Sequence, residues 1–301
     1  MATPGNDNPL NSQINAYNSI NNQYLEMNAL YASDLKSLVA WMKQDPTHRA
    51  GEALWRFQMW VMPDATQSCE YHMALEADAL NIANTIRNDI TNAQNDYNNV
   101  ENNIIGKNTA AAKSAANQLS NDLKKLSQDL GAHGLTKIIG VTGLSTLKNY
   151  LSNIKENIHG DMKQSRVSHY VTTGYTHISW TSVVVVGRDD YYTVHKSRLS
   201  PYQKSGITHV KTSGPGGIYT YLNYVYSQAT KAGSNSIPPA FSNITSGFNN
   251  LNQSVSGISS TIQAQMQYLN NNLQQFFGIF KSFFDDFSQL SSYITQKSGP
   301  S

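Results

Sequence analysis

The chain has 301 residues, 39% of them hydrophobic and only 14% charged, with a formal net charge of +2 and a single cysteine, Cys69. So small a charge excludes a global electrostatic pull toward nucleic acid or an anionic membrane. One cysteine excludes an internal disulfide framework and a cysteine-based zinc site, and no run approaches the roughly 18 apolar residues of a membrane-spanning helix, so an integral membrane protein is excluded.

Solubility rests on Asn, Gln, Ser and Thr rather than on Lys, Glu, Arg and Asp, with asparagine at about twice its usual share. Such surfaces repel one another weakly, which suits a protein that associates with copies of itself. Cys69 reads as a small buried hydrophobe in a helix.

The first residues, 1–10, lack both a basic segment and an apolar core, so they read as a disordered polar leader and not as a cleaved signal peptide. Residues 11–63 predict a helical hairpin. Its first arm carries the stripe Ile14, Tyr17, Ile20, Tyr24, Met27, Tyr31, Leu35, Leu38 and Met42. Asp45-Pro46 breaks the arm, because the residue before proline is pushed out of the α region. A second arm, rich in Trp55, Phe57 and Trp60, is expected to end at Pro63. This aromatic load is too heavy for water and must be covered.

Residues 64–130 predict a long helix. Leu75, Ala79, Ile82, Ile86, Ile90, Ala93, Tyr97, Val100 and Ile104 keep heptad spacing, and the stripe continues through Ala112, Ala115, Leu119, Leu123, Leu126 and Leu130. Residues 131–238 differ in kind. A helix with Leu144, Leu147, Leu151, Ile154 and Ile158 is followed, from Val167 to about Tyr226, by a period near two with many β-branched residues and tyrosines. Strands are expected at Tyr175–Val186 and Tyr191–His195 around a Gly187–Asp190 turn, with further apolar stretches at Ile207–Lys211 and Ile218–Tyr226, the second of which also suits a helix. Pro238-Pro239 launches the last element, 239–297. There Ile244, Phe248, Leu251, Val255, Ile258, Ile262, Met266, Leu269, Leu273, Phe276, Phe280, Phe283, Phe287, Leu290 and Ile294 form a heptad seam with a single stutter. The expected fold class is therefore mainly α with an inserted β-rich (α+β) domain, an N-terminal αα-hairpin, and a long antiparallel coiled coil between 64–130 and 239–297.

Chemistry-bearing patterns are weak. His169, His177, His195 and His209 show no helical ligand spacing and no carboxylate at a ligand-like offset. Asp189-Asp190 suits a turn, Gly214-Pro-Gly-Gly217 lacks the lysine and helix of a phosphate loop, and no nucleophile elbow occurs. Nothing calls for an enzyme, a cofactor or a metal. Arg166, Arg188, Lys196, Arg198, Lys204 and Lys211 make the middle segment locally basic, either a solvated face or an exposed head for an anionic surface. Phe277 and Phe284 lie off the main seam of the last helix, so Phe276–Phe287 is apolar over more than one stripe and one partner helix cannot cover it.

The hairpin around Tyr17–Trp60, the heptads of 75–130 and 244–294, the inserted segment between them and the C-terminal Leu290-Ser-Ser-Tyr-Ile-Thr295 together resemble the hydrophilic needle-tip proteins of type III secretion systems. The resemblance is architectural and spans nearly the whole chain. It implies export without signal cleavage to the bacterial surface, a homo-oligomer at the needle tip, and contacts to the needle protein and to membrane-inserting translocators, with a host surface as a further partner. It implies assembly contacts at Phe276, Phe277, Phe280, Phe283, Phe284, Phe287, Leu290 and Ile294. It also implies a self-chaperoning hairpin through Tyr24, Tyr31, Leu38, Trp41, Trp55, Phe57 and Trp60. The secreted filament proteins of the same systems are a close variant, and helical pore-forming toxins and phage fibres are the alternatives from other classes. For a toxin, the tongue would be Ile178–Val186, which is short and flanked by Arg188, Asp189 and Asp190.

Overall fold

The computed structural model describes residues 9–44, 50–158, 161–170, 177–186, 203–211, 215–231 and 237–297. The chain divides into two compact units, one made of Met1–Thr85, His133–Ile139 and Gly257–Ser301, the other of Ile86–Ala132 and Gly140–Ser256.

Helix α1 (Pro9–Gln44) opens the first unit. Leu10, Ile14 and Leu38 are buried on one face of it. Next comes a helical run that changes pitch: α2 (Ala50–Arg56), a π-helical turn (Phe57–Val61), then α3 (Met62–Ile105). Pro63 does not end this run, as its sequence position suggests it should. Proline has no N–H to give the carbonyl four residues back, and its ring would clash with that group. The wider turn accommodates it: the Met62 N–H bonds Phe57 O, and the residues flanking the turn keep helical dihedrals. The unit also contains the short helix α5 (Leu135–Ile139) and the C-terminal part of α8 (Pro239–Lys297). Its small core cluster joins Ala79 and Ala83 of α3 to Ile262 of α8, with Tyr17, Leu80, Ile138 and Ile258 packed around them. Gly134 has φ +94°, and a Cβ there would sit 3.2 Å from Ile14, so the turn into α5 requires glycine both for its conformation and for its approach to α1.

The second unit is built on the rest of α3 and the start of α8, joined by α4 (Thr109–Leu130), α6 (Val141–Ile158) and α7 (Pro215–Lys231). The expected continuous helix over 64–130 is interrupted. The chain turns at Gly106–Asn108 with Lys107 in the left-handed region (φ 57°), and the Asn108 side chain accepts from the Ala111 N–H at 3.3 Å to cap α4. Tyr97, Phe241 and Phe248 form the aromatic centre of this unit. Tyr97 is fully buried, its ring lies 6.5 Å from Phe241 and 5.9 Å from Phe248, and its hydroxyl donates to Phe241 O at 3.0 Å. Burial, and then the charge of Glu101, push that hydroxyl's pKa well above the ordinary tyrosine range. Gln94 donates to Asn249 at 3.1 Å and accepts from Asn252 at 2.7 Å, so two uncharged amide pairs run alongside the aromatics. Here the asparagine-rich composition has a structural use: it joins two helices without burying charge.

The expectation of an inserted β-rich α+β domain is overturned. The packed body is 95% helical and contains no strand. Most of the buried apolar residues of 131–238, among them Leu135, Leu144, Leu147, Leu151, Ile154, Ile158, Ile218, Tyr221 and Leu222, lie on helices. Three strands, β1 (Asp161–Tyr170), β2 (His177–Val186) and β3 (Gln203–Lys211), are all the strand structure among the described residues. They form one antiparallel sheet in the order β2-β1-β3, with Gln164 opposite Val183 and Thr208. The physical reason for the miss is that short apolar runs fit either period, and helix-on-helix packing decides between them. Pro215 accordingly opens α7 at a first-turn position, where its missing N–H costs nothing. The expected strand at Tyr191–His195, the Gly187–Asp190 turn, the 1–8 part of the leader and the Asp45-Pro46 break lie outside the described residues.

Candidate assembly surface

In the first unit, the aromatic residues of α1, α2 and the π turn are only partly gathered. The guanidinium of Arg56 stacks 4.2 Å from the centre of the Trp41 ring and 4.8 Å from that of Trp60, and it pairs with Glu52 at 3.2 Å. Arginine between two indoles is a strong cation–π arrangement, since its weak hydration makes partial desolvation cheap. Phe57 meets α8, with ring centroids 6.3 Å from Phe276 and 5.3 Å from Phe280; Phe276 also packs edge-on against Phe277 at 5.9 Å. Tyr24 stacks on His72 of α3 at 4.9 Å, Leu38 is buried and Tyr31 is half-buried. Trp55, Met59 and Trp60 remain exposed, Trp55 to 53%. Burial raises the pKa of Cys69, so the thiol is protonated at neutral pH.

Along α8 the coverage changes. Ile244, Phe248, Leu251, Val255 and Ile262 are buried, whereas Met266, Leu269, Leu273, Phe276, Phe277 and Phe280 are half-buried. Ile279 is 73% exposed, and Tyr268 and Tyr293 are exposed too. Phe283, Phe284, Phe287, Leu290 and Ile294 lie on the same helix, but their side chains fall outside the described residues. The structure thus brings Phe57 together with Phe276 and Phe280, and Trp41 with Trp60, and leaves Trp55 on the surface. Of the basic residues, Arg166 is on β1 opposite Thr181 and Gly206, Lys204 on β3 is opposite Ser168, and Lys211 is opposite Asp161. Arg188, Lys196 and Arg198 fall outside the described residues.

Two features escaped the sequence reading. One is the Arg56 sandwich, which depends on the π turn rotating Trp60 toward Trp41; the signal was a proline inside an otherwise helical stretch. The other is a charged seam in the second unit. Lys125 of α4 pairs with the buried Asp89 of α3, and Asp96 of α3 shares a hydrogen bond with Asp122 of α4. Burial first, then the Asp122 hydrogen bond and charge, push Asp96 up from 3.8 to about 6. A carboxyl raised on folding binds its proton more tightly in the folded chain. Its stabilising contribution is therefore present below about pH 4 and is lost as pH rises to about 6. After solvent screening at this half-buried site, the loss amounts to about 1 kcal/mol. Asp122→Asn is expected to flatten the profile between those limits and to raise stability near pH 7, read by urea unfolding at both ends. Parallel profiles for the two proteins would contradict the assignment.

Among the described residues, no three His, Cys, Asp or Glu side chains converge as metal ligands, and no helix is long and apolar enough to cross a membrane. No protein-family model, curated protein or solved structure matches the chain.

Proposed function

We propose that this chain is a non-enzymatic assembly subunit and, within that class, a needle-tip subunit of a type III secretion system, exported without signal cleavage and oligomeric at the bacterial surface. The observation that carries the reading is the change along α8: a seam buried as far as Ile262, apart from half-buried Ile258, becomes half-covered through Phe276, Phe277 and Phe280, beside a bare Ile279. Apolar surface left open on one long helix, next to exposed Trp55 and Trp60, suits a subunit that completes its packing against another chain. The low charge of the chain keeps repulsion between copies weak. The resemblance to tip proteins rests here on the helical parts alone.

The test is co-sedimentation of the purified chain with isolated secretion needles, beside an Ile279→Glu variant. Co-sedimentation of the parent chain, reduced at least tenfold in the variant, is the expected result. Failure to sediment, together with dye release from liposomes, would replace the tip reading by a pore-forming one.

A further inference from the structure

We draw no further inference here: the strongest candidate, the exposed apolar seam on the outer face of α1 from Leu25 to Met42, carries nothing because nothing in the structure shows what covers it.

Discussion

Tyr97→Ala is expected to destabilise the unit formed by Ile86–Ala132 and Gly140–Ser256 by about 3–5 kcal/mol, the largest effect of any single substitution considered. Three losses combine at this position. The ring is fully buried between Phe241 and Phe248, so truncation leaves a cavity that a helical unit held by long side chains closes poorly. Two aromatic contacts disappear with it. The bond from the hydroxyl to Phe241 O goes as well. The last term can be isolated. Phe241 O also accepts from the Thr245 hydroxyl at 3.1 Å, so Tyr97→Phe does not orphan the carbonyl and is expected to cost only about 1 kcal/mol. Guanidinium unfolding of the two variants checks the ratio. Equal losses would mean that the hydrogen bond and not the packing holds this centre, and a loss below about 1 kcal/mol for Tyr97→Ala would mean the ring is not buried as described.

The second large effect comes from a glycine, and its sign is the informative part. Replacing glycine by alanine within a helix ordinarily stabilises by about 0.5–1 kcal/mol. Gly257 of α8 has nothing within 4 Å of a built Cβ and should follow that rule. Gly247, ten residues earlier on the same helix, should not. A Cβ there would lie 2.6 Å from Cγ1 of Ile154, a fully packed residue of α6. The Ile154 side chain of α6 packs directly on the bare backbone of Gly247, so Gly247→Ala must push that side chain or the helix carrying it away, at a cost of about 1–3 kcal/mol that outweighs the gain in propensity. Thermal unfolding of the two variants should move in opposite directions. If both stabilise, the close approach of α6 to α8 is wrong.

How far the sequence carries can be judged residue by residue. The 3–4 spacing of Leu75, Ala79, Ile82, Ile86, Ile90, Ala93, Tyr97, Val100 and Ile104 named side chains that are all buried, because only one face of so polar a helix can leave water. The stripe slipped by one residue at Ala115, where the buried side chain is Ala116. The named positions on either side, Ala112 and Leu119, are both buried, and with alanine at 115 and at 116 the spacing alone did not choose between the two. Glycine followed by a capping asparagine at Gly106–Asn108 was a readable stop signal, outweighed by the heptads on either side. Pro63 misled in the opposite sense, since a π turn absorbs what a regular helix could not. The β-rich fold class for the middle failed because short β-branched and tyrosine-rich runs have no period of their own, and Ile218–Tyr226, which suited either a strand or a helix, could not be decided from its length alone. Contact with α4 and α6 settles that run as α7. At the candidate surface, the importance of Trp41, Phe57, Trp60, Phe276 and Phe280 was legible from their crowding. Their pairing was not, because it depends on how the π turn rotates one helix segment against its neighbours.

The central claim is that this helical chain leaves apolar surface open in order to associate with other chains. Light scattering combined with small-angle X-ray scattering over a wide concentration range tests it most directly. The expected result is a mass that rises above that of one chain as concentration increases, and that Ile279→Glu lowers. A single-chain mass at every concentration, for the parent and the variant alike, would contradict it.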